Sequence, residues 1–130
     1  MKLRIRGNSI RLRLLRSEVE RFTTAGQISE TVEFGPGAAS FFRYTLRMSP
    51  EAKTTSAEFR GNEIAIVVPE TFAREWANGT DVGFDREQPI AGGDTLSILV
   101  EKDFVCIDRP NDPDRDDAFP NPNVTCEPAQ

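Results

Sequence analysis

The sequence predicts a mainly β (α+β) fold: a single closed or partly closed barrel of about eight strands, made from two fused strand-strand-helix-strand-strand repeats and capped by two short helices. Three observations lead there. The segment Arg6-Gly7-Asn8-Ser9-Ile10 recurs as Arg60-Gly61-Asn62-Glu63-Ile64, an offset of 54 that keeps apolar residues on apolar residues from Leu3/Ala57 to Leu46/Val100. Within each copy, apolar and polar residues alternate with the period of two expected of half-buried strands. Neither half, of about 45 residues, could bury its apolar faces alone, and interleaving the halves into a barrel removes the exposed edges of its short strands.

Each element follows from local sequence. Leu3 and Ile5 alternate with Lys2, Arg4 and Arg6, and Ile10, Leu12 and Leu14 alternate with Arg11 and Arg13. Gly7-Asn8 between them tolerates positive φ and makes a hairpin turn. Ser17-Glu18-Val19-Glu20 fits a capping box, with Ser17 as the cap and Glu20 reaching back, and opens a short helix that Gly26 stops. Strands follow at about 28–34 and 41–48, with Phe42, Tyr44, Leu46 and Met48 on one face. The second copy has strands near 55–60 and 63–68, then a helix opened by Pro69, whose missing amide costs nothing there, and closed by Asn78-Gly79. Strands near 80–85 and 95–102 complete it. The offset runs without a gap and pairs Phe22 with Trp76 and Ile28 with Val82. The expected core is Ile10, Leu12, Leu14, Phe22, Ile64, Ile66, Trp76, Leu96, Ile98 and Val100.

The domain organisation is a duplicated barrel over residues 1–104, with repeats 3–48 and 57–102, and an acidic, Pro-rich C-terminal tail over 105–130 packed on or near it. Residues 1–16 carry six cations and no anion, whereas residues 103–130 carry seven anions and two cations. The tail's balance of −5 equals that of the whole chain, so residues 1–102 are neutral. The simplest reading of this asymmetry needs no partner: the basic hairpin and the acidic tail neutralise each other and lower self-repulsion. No apolar run approaches the roughly 18 residues of a membrane span, and the alternating start does not read as a signal peptide.

The segment Ile66-Val67-Val68-Pro69-Glu70-Thr71-Phe72, a short helix, then Asp81-Val82-Gly83-Phe84, resembles the core of swapped-hairpin barrels, the DNA-binding domains of bacterial transition-state regulators and antitoxins. The usual Gly-Asp before the third strand is missing, so the resemblance implies the fold and not DNA binding. A second resemblance covers nearly the whole chain. The opening Met1-Lys2-Leu3-Arg4-Ile5-Arg6-Gly7-Asn8-Ser9-Ile10-Arg11-Leu12-Arg13-Leu14, the segment Glu101-Lys102-Asp103-Phe104-Val105-Cys106 and the tail Asp116-Asp117-Ala118-Phe119-Pro120-Asn121-Pro122-Asn123 resemble a small uncharacterised bacterial family. That resemblance implies a cytoplasmic bacterial protein and supplies no activity.

The chain contains no His, which removes Ser-His-Asp and Cys-His catalysis and the commonest zinc ligand sets. Glu18 and Glu20 share a helix without an identifiable buried partner, so no carboxylate acid/base pair is supported. No catalytic residue and no cofactor is assigned, and the chain is not read as an enzyme. The metal candidates are Cys106 and Cys126 with Asp103 or Asp108; the same two thiols could form a disulfide closing the tail onto the barrel, or stay apart. In the tail, Phe119 is expected to dock in an apolar notch. The leading function is a non-catalytic binding or assembly module that takes a protein partner or a second copy of itself. One alternative is a metal-binding or redox-responsive protein using Cys106 and Cys126. The other is nucleic-acid binding through Lys2, Arg4, Arg6, Arg11 and Arg13, disfavoured because the second copy lacks most of those cations.

Overall fold

The computed structural model describes residues 1–103 together with Asp117 and Phe119. In chain order the elements are β1 (Lys2–Arg6), β2 (Ser9–Leu14), α1 (Arg16–Ala25), β3 (Gln27–Glu33), β4 (Phe41–Ser49), β5 (Ser56–Arg60), β6 (Glu63–Pro69), α2 (Glu70–Asn78), β7 (Gly83–Pro89) and β8 (Thr95–Lys102). They make a mainly β molecule of two four-stranded sheets, ordered β1-β2-β8-β7 and β3-β4-β6-β5. Each sheet therefore takes one hairpin from each half of the chain. The two inner pairs, β2 with β8 and β4 with β6, are parallel, and the outer pairs are antiparallel.

The recurring Gly-Asn does more than turn the chain. Gly7 and Gly61 hold φ of 55° and 58°, a conformation that glycine adopts without the Cβ penalty. The Asn8 side-chain amide then donates to the Thr95 carbonyl (2.8 Å), and the Asn8 carbonyl accepts from the Ser97 amide (3.1 Å). Asn62 repeats both bonds, to the Ala39 carbonyl (2.9 Å) and from the Arg43 amide (2.9 Å). Each hairpin tip is thus tied to the start of its parallel neighbour, and this fixes the register of the central ladders.

That register follows the offset of 54: Leu12 faces Val100 as Ile66 faces Leu46, and Leu3 faces Leu12 as Ala57 faces Ile66. The gapless alignment fails at one place. Ile28 faces Leu46, but it is Phe84, not Val82, that faces Val100, so β3 corresponds to β7 at an offset of 56. Two extra residues precede β7, and the hairpin after it is shorter by two: residues 34–40 join β3 to β4 and residues 90–94 join β7 to β8. Val82 consequently sits exposed, while Phe84 packs on the core. Gly83 opens β7 because a Cβ there would lie 2.5 Å from the Val100 carbonyl oxygen.

Of the expected closed or partly closed barrel, the closed form is not what the chain makes: neither four-stranded sheet closes into a barrel. No ladder joins the two sheets among the described residues, and the edges β5 and β7 meet instead through one side chain. The Gln88 carboxamide accepts from the Ala57 amide (2.7 Å) and donates to the Ala57 carbonyl (3.2 Å), imitating a peptide group across the gap. Edge groups that a closing ladder would satisfy are met there by a side chain. The core lies between the sheets and under both helices. Leu12, Leu14, Phe22, Ile66, Trp76, Ile98, Val100 and Ile10 are buried, whereas Ile64 and Leu96 are partly buried at its margin.

The start of α1 also differs from expectation. Its N-cap is Leu15, and Glu18 rather than Glu20 reaches back, accepting from the Leu15 amide (2.8 Å). Ser17 already lies inside the first turn, where its own amide needs an acceptor. Asp117 provides it, accepting from the Ser17 amide (3.0 Å) and the Ser17 hydroxyl (2.5 Å). Gly26 ends the helix at φ 82°, donating to the Phe22 carbonyl (2.8 Å).

Candidate binding surface of the first hairpin

Strand alternation puts Lys2, Arg4 and Arg6 of β1 and Arg11 and Arg13 of β2 on the face turned away from the core. The structure divides these five cations into two groups. The parallel β2–β8 register sets Arg13 opposite Glu101. Arg11 Nε donates to Glu101 Oε1 (2.6 Å), and Arg13 Nε lies 3.1 Å from the same oxygen. Lys2 Nζ lies 3.0 Å from Asp103 Oδ2, and Arg13 Nη2 lies 3.8 Å from Asp103 Oδ1. Both carboxylates are largely shielded from solvent, with side-chain exposures of 13% for Glu101 and 12% for Asp103. Lys2, Arg11 and Arg13 are thereby paired, three cations on two carboxylates. Arg4 and Arg6, one strand further out, have no hydrogen bond or ion pair from their side chains among the described residues.

Those two arginines line one end of a groove of about 640 Å³ across the outer face of the β1-β2-β8-β7 sheet. Leu99 lies in its middle, and Asp85 and Glu87 of β7 line the other end. The Glu87 carboxylate is held in place by the Ser97 hydroxyl (2.8 Å) and the Thr95 hydroxyl (3.2 Å). The groove is therefore bipolar, cationic over β1 and anionic over β7.

Asp103, read as a metal candidate, is committed elsewhere. Its carboxylate pairs with Lys2 and Arg13, its amide donates to the Leu14 carbonyl (2.8 Å), and its carbonyl accepts from the Phe119 amide (2.8 Å). Among the described residues no group of three metal-ligating side chains comes together. Cys106, Cys126 and Asp108 lie outside the described residues, as does any bond between the two thiols.

A family profile, described as a family of unknown function (DUF7009), matches residues 1–123. The chain belongs to that family. The three segments that carried the resemblance to an uncharacterised family all fall inside the matched range. No curated protein and no solved structure matches the chain. No helix among the described residues is long and apolar enough to cross a membrane.

In this member of DUF7009 the most unusual polar groups are ones the sequence reading passed over. The Met1 amino group is buried and pairs with both Glu18 and Glu30, which gives Glu18 the partner it was expected to lack. Tyr44 donates from its hydroxyl to the Met1 carbonyl (2.8 Å). Burial, then the Glu30 and Glu18 carboxylates, push the Tyr44 phenol above its usual range. Lys102 is 4% exposed, donates to the Gly79 carbonyl (2.9 Å), and sets its ammonium 5.6 Å from the Trp76 ring and 5.4 Å from the Phe119 ring. Burial lowers its pKa while Asp81 acts in the opposite direction. Phe119 packs against the core cluster there. Arg86, finally, faces inward from β7 with its Nε buried and without a hydrogen-bond partner.

Proposed function

We propose that this protein is a non-catalytic binding module built from two fused copies of one strand-strand-helix-strand-strand unit, and that Arg4 and Arg6 engage the acidic end of a protein segment that carries both signs of charge. The single observation that carries the reading is the division of the basic hairpin. Three of its five cations are held by Glu101 and Asp103, and the two without a partner among the described residues line a groove whose far end is anionic. A nucleic-acid backbone presents one sign of charge along its length and is bound by an extended positive surface. Here Asp85 and Glu87 would face it with like charge, which favours a protein segment carrying both signs. The shared ladder register of the two halves, and the paired Asn8 and Asn62 clamps, support the duplication.

Two measurements test this reading. Fluorescence anisotropy with duplex and single-stranded oligonucleotides at low salt is expected to show no saturable binding. Binding of the protein to a peptide array graded from acidic to basic is expected to favour peptides with an acidic end, and to be lost in the double variant Arg4→Glu/Arg6→Glu. Salt-sensitive oligonucleotide binding removed by the same double variant would replace this reading with the nucleic-acid one.

A further inference from the structure

The cavity of about 600 Å³ between α2, β7 and residues 53–55 lies away from the first hairpin and is lined by Lys53, Thr55, Thr71, Phe72, Phe84 and Arg86. We infer that it is a binding site for a small aromatic anion, whose charged group pairs with Arg86 and whose ring lies against Phe72 and Phe84.

Arg86 is the starting point. It occupies the core phase of β7, between Phe84 and Gln88, where a long cation needs a partner. None exists among the described residues: its Nε is buried and unbonded, and the guanidinium makes no ion pair. A buried donor without a protein acceptor costs stability unless a water or a bound ligand accepts from it. The apolar wall is already organised. Phe84 is held edge-on by Phe72 (ring centroids 5.1 Å apart) and by Trp76 (5.3 Å), and Phe72 remains 44% exposed at the mouth. The threonine hydroxyls and Lys53 add donors suited to a carboxylate or phosphate. Glu75, Asp85 and Glu87 also line the cavity and oppose an anion; Glu87 is hydrogen-bonded to Thr95 and Ser97, and Asp85 and Glu87 leave β7 on the opposite phase from Arg86.

A second, independent observation comes from the first half. At the ladder correspondence established above, Thr55, Phe72 and Arg86 take the places of Met1, Glu18 and Glu30. In the first half those places hold a charge cluster completed within the chain, an amino group between two carboxylates. In the second half the inward charge is reversed, Arg86 makes no ion pair among the described residues, and a cavity lies beside it. The same position in the fold is filled internally once and left open once.

The test is a titration of the ¹⁵N-labelled protein with benzoate, with benzamide as the uncharged analogue and acetate as the anion without a ring. Benzoate is expected to give saturable amide shifts at Thr55, Phe72 and Phe84, with benzamide and acetate each weaker by about tenfold or more. Arg86→Gln is expected to abolish the shifts while the rest of its spectrum stays that of the parent. Phe72→Ala, at a half-exposed position that tolerates truncation, is expected to weaken binding about tenfold on its own. Arg4→Glu/Arg6→Glu is expected to leave benzoate binding unchanged, which separates this site from the groove. No saturable shift with benzoate, equal binding of benzamide, or full binding retained in Arg86→Gln would each overturn the assignment.

Discussion

The polar centres of the two halves occupy matching places and have opposite chemistry. Around β1 and β3, Met1, Glu18, Glu30 and Tyr44 form a set in which each charge and the phenol have a partner inside the chain. Around β5 and β7, the corresponding residues Thr55, Phe72, Arg86 and Ile98 include one charge, and it has no such partner among the described residues. The ladders beneath both centres share one register, so the backbone does not explain the difference. A closed polar set contributes to holding the fold, whereas an open one costs stability in the isolated chain and becomes useful when something binds. The same contrast divides the first hairpin, where Arg11 and Arg13 serve the sheet and Arg4 and Arg6 have no partner among the described residues.

Substitutions at matching places should sharpen this comparison. The largest effects are expected where the halves agree: Phe22→Ala and Trp76→Ala each remove a buried ring and should cost ~3–5 kcal/mol by denaturant unfolding. A large cost at one and a small cost at the other would break the correspondence of the two helices. The polar centres should then diverge. Glu18→Ala strands the Met1 amino group and the Leu15 amide and is expected to cost ~2–3 kcal/mol, whereas Phe72→Ala at the matching place should cost about 1 kcal/mol.

Gln88→Leu tests the gap between the sheets. It removes both bonds to the Ala57 backbone, and the expected loss is ~1–2 kcal/mol with faster exchange of the Ala57 amide. Smaller again is the link from Asp117 to α1. Hydrogen bonds from the Ser17 side chain and backbone, with Arg16 and Arg21 nearby, hold the Asp117 carboxyl below its usual range. A group whose pKa is lowered on folding stabilises fully above its ordinary carboxylate value and stops doing so as the pH falls through the lowered one. Melting curves of the parent protein and Asp117→Asn should therefore differ at neutral pH and converge in acid. The smallest effect belongs to Arg4→Glu/Arg6→Glu, expected to change stability by less than ~0.5 kcal/mol because no described partner is lost.

Strand and helix positions were legible because alternation and glycine placement act locally: Gly7, Gly26 and Gly61 each stand where the backbone adopts positive φ. The core was legible for the same reason. Closure was not, because whether two edges pair depends on side chains such as Gln88 that no periodicity marks. The gap before β7 was hidden because Val82 and Phe84 are both apolar two residues apart and suit the same alternating pattern. Of the candidate surface, the sequence identified the five cations but not their division, since that depends on Glu101 and Asp103 arriving from β8 across a parallel ladder. A signal for the polar centres was present: Glu30, Arg86 and Lys102 each interrupt the core phase of a strand, after Ile28, Phe84 and Val100 respectively. A charged residue on the core phase requires a partner or a ligand.

The arginines of the first hairpin are divided between internal partners and an open groove. Arginine side-chain NMR reads this directly through the exchange of each Nε proton with water near neutral pH. Arg11, bonded through Nε to Glu101, is predicted to keep a sharp, slowly exchanging signal, while the signals of Arg4 and Arg6 are lost to exchange and return when an acidic peptide is added. Equal exchange at Arg4, Arg6 and Arg11, unaffected by peptide, would contradict it.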